Sequence, residues 1–315
     1  MSSVSAKLTD LGYAAGWAAV RHAPESWARS AFEKGGDLAG RRRGGPVQLR
    51  RNLARVIGTT PERVPDDLVA AAMRSYARYW YEAFRLPAQD LATTAATVTI
   101  SERDRTELTA VVERGKGVIL TLPHTGNWDM AGVWLVQHYG GLSTVAERLE
   151  PESLFNRFVE YRESLGFEIF PLSGGEEPPY GRLAARLRAG GIVCLVGERD
   201  LARHGVPVTF FGERTRMPAG SARLAIETGA ALLPAHHWFT DAPNSMVSCG
   251  PEIDVSGGVA ATTQALADAF ARNIAAHPQD WHMLQPLWES DWSAARRARL
   301  GVDAPDPAIT EEPDR

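Results

Sequence analysis

Two short runs of this 315-residue sequence carry side chains whose types and spacing could do chemistry. The first is L-T-L-P-H-T-G-N-W-D, in which His124 follows an apolar run and Asp129 lies five positions further on. Within one continuous helix, five residues is about 500°, so the two would face apart. If His124 sits in the turn before a helix, Asp129 falls in the first helical turn and can reach back. A carboxylate behind an imidazole fixes its tautomer and raises its basicity, as a general base requires. The same spacing also fits a capping turn with a surface histidine. The second run is G-E-R-D, again directly after an apolar stretch, and supplies Glu198, Arg199 and Asp200. These fit ordinary loop charges, and Glu198 is also placed to act near His124. A third apolar stretch ends at Glu147 and Arg148, and the helix expected after it carries Arg157 and Arg162.

A parallel sheet would bring these runs together, because ligands and catalytic groups gather outside the carboxyl ends of its strands. From Gly117 the chain alternates short apolar runs with helical patterns. G-V-I-L-T-L, S-T-V-A-E-R-L, F-E-I-F-P-L, I-V-C-L-V-G and A-L-L-P-A-H-H-W read as strands. Asn127–His138, Glu152–Ser164, Tyr180–Arg188 and Ser221–Thr228 read as helices. Repeated strand–helix–strand units demand a mostly parallel sheet covered on both faces. G-V-P-V-T-F-F-G interrupts the series as an antiparallel or irregular insertion. The first ninety residues read as helices: Leu8 to Phe32 broken at Pro24, Val47 to Ile57, and Asp66, taken as an N-cap, to Phe84. Tyr76, Tyr79, Trp80 and Phe84 form an aromatic stripe on the last of these, read as a face buried against a core. The expected organisation is α/β: a mostly parallel mixed sheet flanked by helices over 91–302, with an N-terminal helical segment over 1–90. The Pro/Asp/Glu-rich tail over 303–315 reads as disordered.

Composition narrows the function classes. With 44% hydrophobic and 23% charged residues and a net charge of −4, the chain is an ordinary globular protein. Its 34 basic residues are arginine except Lys7, Lys34 and Lys116, which fits a GC-rich genome better than nucleic-acid binding, and no nucleic-acid partner is expected. Cys194 and Cys249 lie far apart without Cys/His spacing, so neither a disulfide framework nor a zinc site is expected. No Ser carries the glycines of a G-x-S-x-G elbow, and no Walker A pattern occurs. G-K-G at 115–117 precedes a strand rather than following one, unlike a dinucleotide fingerprint. His236 and His237 are neighbours on a strand and face opposite ways, which favours structure over metal binding. His282 reads as a packed histidine near a groove, and Trp281 and Trp288 as core or interfacial aromatics.

The order of motifs then carries a resemblance. H-T-G-N-W-D looks like the H-x4-D/E motif of the glycerolipid acyltransferases. The further blocks are V-A-E-R-L, F-N-R-F-V-E-Y-R-E-S-L-G-F-E, G-E-R-D, V-T-F-F-G and M-P-A-G-S-A-R-L-A-I-E-T-G-A-A-L-L-P. In that order they resemble the lipid A biosynthesis acyltransferases. D-L-G-Y-A-A-G-W, Y-A-R-Y-W-Y-E-A-F-R-L-P and D-W-H-M-L-Q-P-L-W resemble the mycobacterial phosphatidylinositol mannoside acyltransferases within that family. The likeness spans roughly residues 8 to 300. Glu198-Arg199-Asp200 departs from the D-Q-D type triplet of many lipid A relatives and sits closer to the mannoside branch.

The resemblance implies transfer of a long acyl chain, palmitoyl by preference, from acyl-CoA to the 6-hydroxyl of a mannose of a phosphatidylinositol mannoside. It implies His124 as catalytic base with Asp129 and Glu198 orienting it, and Glu147, Arg162 and Arg199 toward substrate. Backbone N–H groups at Gly126 and Asn127 would hold the oxyanion. No metal or prosthetic group is implied, palmitoyl-CoA or a similar acyl-CoA being a co-substrate. An acyl carrier protein as donor, another lipid as acceptor, and a non-catalytic lipid-binding protein are the alternatives. A lipid acceptor places the protein peripherally on the cytoplasmic side of the cell membrane. Neither a membrane-spanning stretch nor a signal peptide is read from the sequence. Residues 1–65 hold 11 basic and 5 acidic side chains, so this end is expected to dock on the inner-membrane surface through Arg21, Arg41, Arg42, Arg43, Trp17, Trp27 and Phe32.

Overall fold

Repeated apolar runs too short for helices build the centre of the molecule. The computed structural model describes residues 16–148, 152–174, 177–200 and 205–300. The strands are β1 (Val98–Ile100), β2 (Val118–Leu122), β3 (Leu142–Ala146), β4 (Phe167–Pro171), β5 (Ile192–Val196), β6 (Val206–Phe210), β7 (Glu213–Met217), β8 (Ala231–Phe239) and β9 (Ser245–Cys249). Seven of them form one sheet in the order β1-β9-β8-β2-β5-β3-β4, and β6 with β7 forms a separate antiparallel hairpin. Every pairing in the large sheet is parallel except β8 with β9. The α/β expectation is met, and the V-T-F-F-G insertion is that hairpin.

β2 sits between β8 and β5 and all five of its residues are buried, as a strand covered on both faces must be. Alternate side chains divide the core. Leu120 and Leu122 join the cluster under the Trp128–Tyr139 and Glu152–Ser164 helices. Ile119 joins the cluster under the Pro179–Arg188, Gly220–Thr228 and Gly258–Ala276 helices.

The N-terminal helices are bound to this core rather than standing apart. The Glu25–Arg41 helix packs closely on Asp66–Arg85 because Gly36 and Gly40 have no side chain; a Cβ on Gly40 would lie 2.6 Å from Ala70 Cα. Pro24 breaks the first helix as expected, with 16–22 helical before it. Leu8 and Leu11 of that helix, and the tail from Asp303, lie outside the described residues. Asp66 is the first helical residue rather than the cap; the chain enters from Pro65, and Asp66 Oδ1 takes the Arg50 guanidinium at 2.5 Å. Two residues expected at the surface are packed. Trp17 lies against Phe84, Phe158 and Tyr161, and Phe32 against Tyr81 and Phe84. Trp27 does project outward, 76% exposed. Among the described residues no helix is long and apolar enough to cross a membrane.

Candidate active site

β2 and β5 remain in register to their last residues, with Leu122 opposite Val196. Two further steps along each strand bring His124 alongside Glu198. The backbone N–H and the ring Nδ1 of His124 both lie 2.7 Å from Glu198 Oε1. Glu198 is wholly buried, whereas the His124 side chain is 29% exposed and open to a substrate. Burial pushes the Glu198 carboxyl up, but the charge, ring N–H and backbone N–H of His124 hold it below its ordinary value. An ionised Glu198 requires the proton on Nδ1 and leaves Nε2 with the lone pair. That is the tautomer of a general base. Trp128 stands edge-on to the ring, 5.3 Å between centroids, and is backed by Tyr79 at 4.3 Å.

Asp129 does not take the place expected for it. Asn127 caps the Trp128–Tyr139 helix, its Oδ1 accepting from the Asp129 and Met130 N–H groups at 3.1 and 3.3 Å. Asn127 Nδ2 donates to the largely buried Glu82, which Arg78 also holds. In the first turn, the buried Asp129 carboxylate meets Arg162, Oδ1 2.8 Å from Nε and Oδ2 3.4 Å from Nη2. Burial alone would lower the Arg162 pKa, yet the adjacent Asp129 charge raises it. The carboxylate that holds the His124 ring therefore comes from the neighbouring strand, and the acid of the H-x4-D motif is committed to an arginine. Glu147 is exposed just past β3, on the same rim but beyond β5. Arg199 is half-buried; burial and its nearby charge both lower the Arg296 pKa. Neither joins the His124–Glu198 pair.

The expected oxyanion donors are also engaged. Gly126 N–H goes to Asp280 O at 2.8 Å, and Asn127 N–H to His237 Nδ1 at 2.9 Å. His237 in turn contacts Ser245 Oγ through Nε2. Gly126 has φ +53°, and a Cβ there would lie 2.2 Å from His237 Nδ1, so only glycine lets the loop close on this histidine. His236 contacts Thr125 Oγ1 at 3.1 Å. Both histidines thus support the loop from below. No group of His, Cys, Asp and Glu among the described residues could hold a metal.

The D-W-H-M segment lies over the same loop as a strap. His282 N–H donates to His124 O at 2.8 Å, and Thr125 bridges Trp281. Ser75 Oγ lies 2.6 Å from Asp280 Oδ1 and 2.9 Å from His282 Nε2. Burial pushes Asp280 up to about 6. Burial and the His124 charge push His282 down to about 3. The aromatic stripe meets this strap, Tyr76 and Tyr79 lying against the His282 ring. Sequence reasoning missed Glu82, Ser75 and Asp280; Tyr79 was legible only as a core residue.

Beside the pair opens an apolar cavity of about 90 Å3. It crosses the sheet from Val247 and Cys249 on β9, past Leu120 and Leu122, to Phe167 on β4. Leu108, Ala131, Gly132, Trp134 and Leu135 roof it, and Trp128, Asp129 and Arg162 line it too. A slot of this kind accepts a hydrocarbon chain and offers it almost no polar partner.

The sequence model of the bacterial lipid A biosynthesis acyltransferases matches residues 3–290. A phosphatidylinositol mannoside acyltransferase of Mycolicibacterium smegmatis is 59% identical over 297 residues, 94% of this chain and 96% of the relative. One of Mycobacterium tuberculosis is 57% identical over 300 residues, 95% and 94% of the two chains. With a histidine–carboxylate pair beside an apolar slot, and likeness over nearly its whole length, the chain belongs to the bacterial lipid A biosynthesis acyltransferase family, in its mannoside branch.

Proposed function

We propose that this protein transfers a long acyl chain, palmitoyl foremost, from acyl-CoA to the 6-hydroxyl of a mannose of a phosphatidylinositol mannoside. The observation that carries the reading is the His124–Glu198 pair beside the apolar slot. The slot takes the acyl chain and leaves the thioester carbonyl at His124. Nε2 removes the proton from the sugar hydroxyl as its oxygen attacks that carbonyl. Glu198 stabilises the imidazolium that forms. Collapse of the tetrahedral intermediate breaks the C–S bond, and the imidazolium returns its proton to the departing thiolate. The thioester supplies the activation, with no metal or prosthetic group in the scheme. Arg162, held by Asp129 at the border of the slot, meets the sugar, with Glu147 and Arg199 further along the rim.

Because acceptor and product are lipids, the reaction takes place at the cytoplasmic face of the cell membrane, with the protein bound peripherally. Purified protein, palmitoyl-CoA and a dimannoside acceptor test the reading directly. Acylated mannoside and free CoA should appear in equal amounts. Hydrolysis alone, with no acylated lipid, would overturn it.

A further inference from the structure

A second cavity, of about 450 Å3, lies between helical residues 16–22 and the Glu152–Ser164 helix. Trp17, Arg21 and His22 line it from one side, and Arg157, Glu160 and Tyr161 from the other. Its placement is fixed from behind. Trp17 Nε1 donates to Phe84 O at 3.0 Å, and Arg85 Nη1 holds Val20 O and Ala23 O at 2.9 and 2.8 Å. The carbonyls at the end of the 16–22 helix are thus capped, and Arg21 faces inward. Among the described residues, buried Arg21 Nε has no hydrogen-bond partner. A buried guanidinium nitrogen left unpaired is costly, and an anion entering the cavity would satisfy it.

Tyr161 joins this cavity to the site already described. Its ring packs on Trp17, 5.9 Å between centroids, and burial and the Asp129 charge raise its hydroxyl pKa. Tyr161 thus both lines this cavity and lies within the field of the Asp129–Arg162 pair.

We propose that this cavity seats the phosphodiester of the acceptor lipid; the inference rests on the reading that the acceptor is a phosphatidylinositol mannoside. Among the described residues, its polar lining comprises Arg21, His22 and Arg157 with the carboxylate of Glu160, and Arg21 brings the unpaired guanidinium nitrogen. That set matches one phosphate anion flanked by hydroxyls. The guanidinium N–H groups bond the phosphate oxygens, and Glu160 accepts from a neighbouring polyol hydroxyl. Seating the phosphodiester behind Tyr161 orients the attached sugar toward His124.

The test compares two acceptors bearing the same sugar hydroxyl: the phosphatidylinositol mannoside, and methyl mannoside, which has no phosphodiester. Arg21→Gln, Arg157→Gln and the double variant are assayed with palmitoyl-CoA, with thermal melts reporting the fold. In the double variant, KM for the lipid acceptor should rise about tenfold or more, the loss of a charge-assisted contact, and the preference over methyl mannoside should shrink equally. Free glycerophosphoinositol should inhibit the wild type and lose potency against the variant. Inorganic phosphate inhibiting both proteins equally would mark non-specific anion binding and count against the seat. A wild-type preference that survives intact in the double variant would overturn the seat alone. If the wild type shows no preference between acceptors, the acceptor reading falls, and the seat with it.

Discussion

Glu198 Oε1 receives two donors from one residue, the backbone N–H and the ring Nδ1 of His124, each at 2.7 Å. The backbone contact fixes the loop and the ring contact fixes the imidazole, so one oxygen sets both position and tautomer. His124→Ala should lower kcat by roughly 10²–10⁴, the range for a lost general base. Glu198→Gln keeps an accepting oxygen but loses the charge facing the imidazolium, so its loss should be smaller, about 10- to 100-fold. Steady-state assays with palmitoyl-CoA check both. Normal turnover in His124→Ala would end the mechanism.

The Asp129–Arg162 pair predicts a different signature. Asp129 is buried and Arg162 largely so beside Tyr79 and Tyr161, whose hydroxyl pKa values are raised by burial and by the Asp129 charge. Asp129→Asn strands the Arg162 charge, and breaking a buried pair costs about 3–5 kcal/mol. Asp129→Asn/Arg162→Met removes both charges and should recover most of that stability while activity stays low. Urea unfolding alongside kinetics separates the two effects. A double variant no more stable than the single one would show that the pair does not hold the charge in place.

Much of this site could be read from the chain, for identifiable reasons. β2, β3, β4 and β5 are short, apolar and separated by helix-length segments, so strand ends and the rim they share followed directly. Which carboxylate meets His124 did not follow, because it depends on the register Leu122–Val196, a non-local pairing. Asp129 is near in sequence but aimed at Arg162; Glu198 is 74 residues away and in contact. β1 has three residues, and S-M-V-S-C of β9 has little apolar contrast, so neither showed as a strand. The alanine-rich Gly258–Ala276 helix has weak periodicity for the same reason. Trp17 and Trp27 were indistinguishable in sequence, and only packing buries one and leaves the other outside.

Asp280 gives the strap a pH signature. Burial raises its carboxyl from an ordinary 3.8 to about 6, so folding favours the protonated form. Its contribution is complete below about pH 4 and is lost as the pH rises through about 6, an effect of about 3 kcal/mol at most. Asp280→Asn does not titrate. The stability of wild type relative to Asp280→Asn should therefore fall between pH 4 and pH 7 in urea unfolding. A difference that stays flat, or grows with pH, would rule out a buried acid that ionises reluctantly.

The packing changes which surface is expected to dock on a membrane. Trp17 and Phe32 are covered, and Arg21 lines a cavity, which removes three of the residues expected to dock. What projects is a stripe on the Glu25–Arg41 helix and the turn after it. Trp27, Leu38 and Val47 are 76%, 67% and 66% exposed, and Arg41, Arg42 and Arg43 are exposed beside them. Trp27 and Leu38, eleven residues apart, share a helix face with Ala31 and Lys34. An apolar line edged by arginines is the arrangement of an interfacial helix. Each arginine near an anionic leaflet adds about 1 kcal/mol, so Arg41→Glu/Arg42→Glu/Arg43→Glu should abolish most sedimentation with phosphatidylinositol vesicles. Trp27→Ser/Leu38→Ser should weaken binding in a way that salt does not mimic, because the lost term is apolar burial. Wild-type binding should fall as ionic strength rises. If the triple-arginine variant sediments as well as wild type at every salt concentration, this helix is not the docking face.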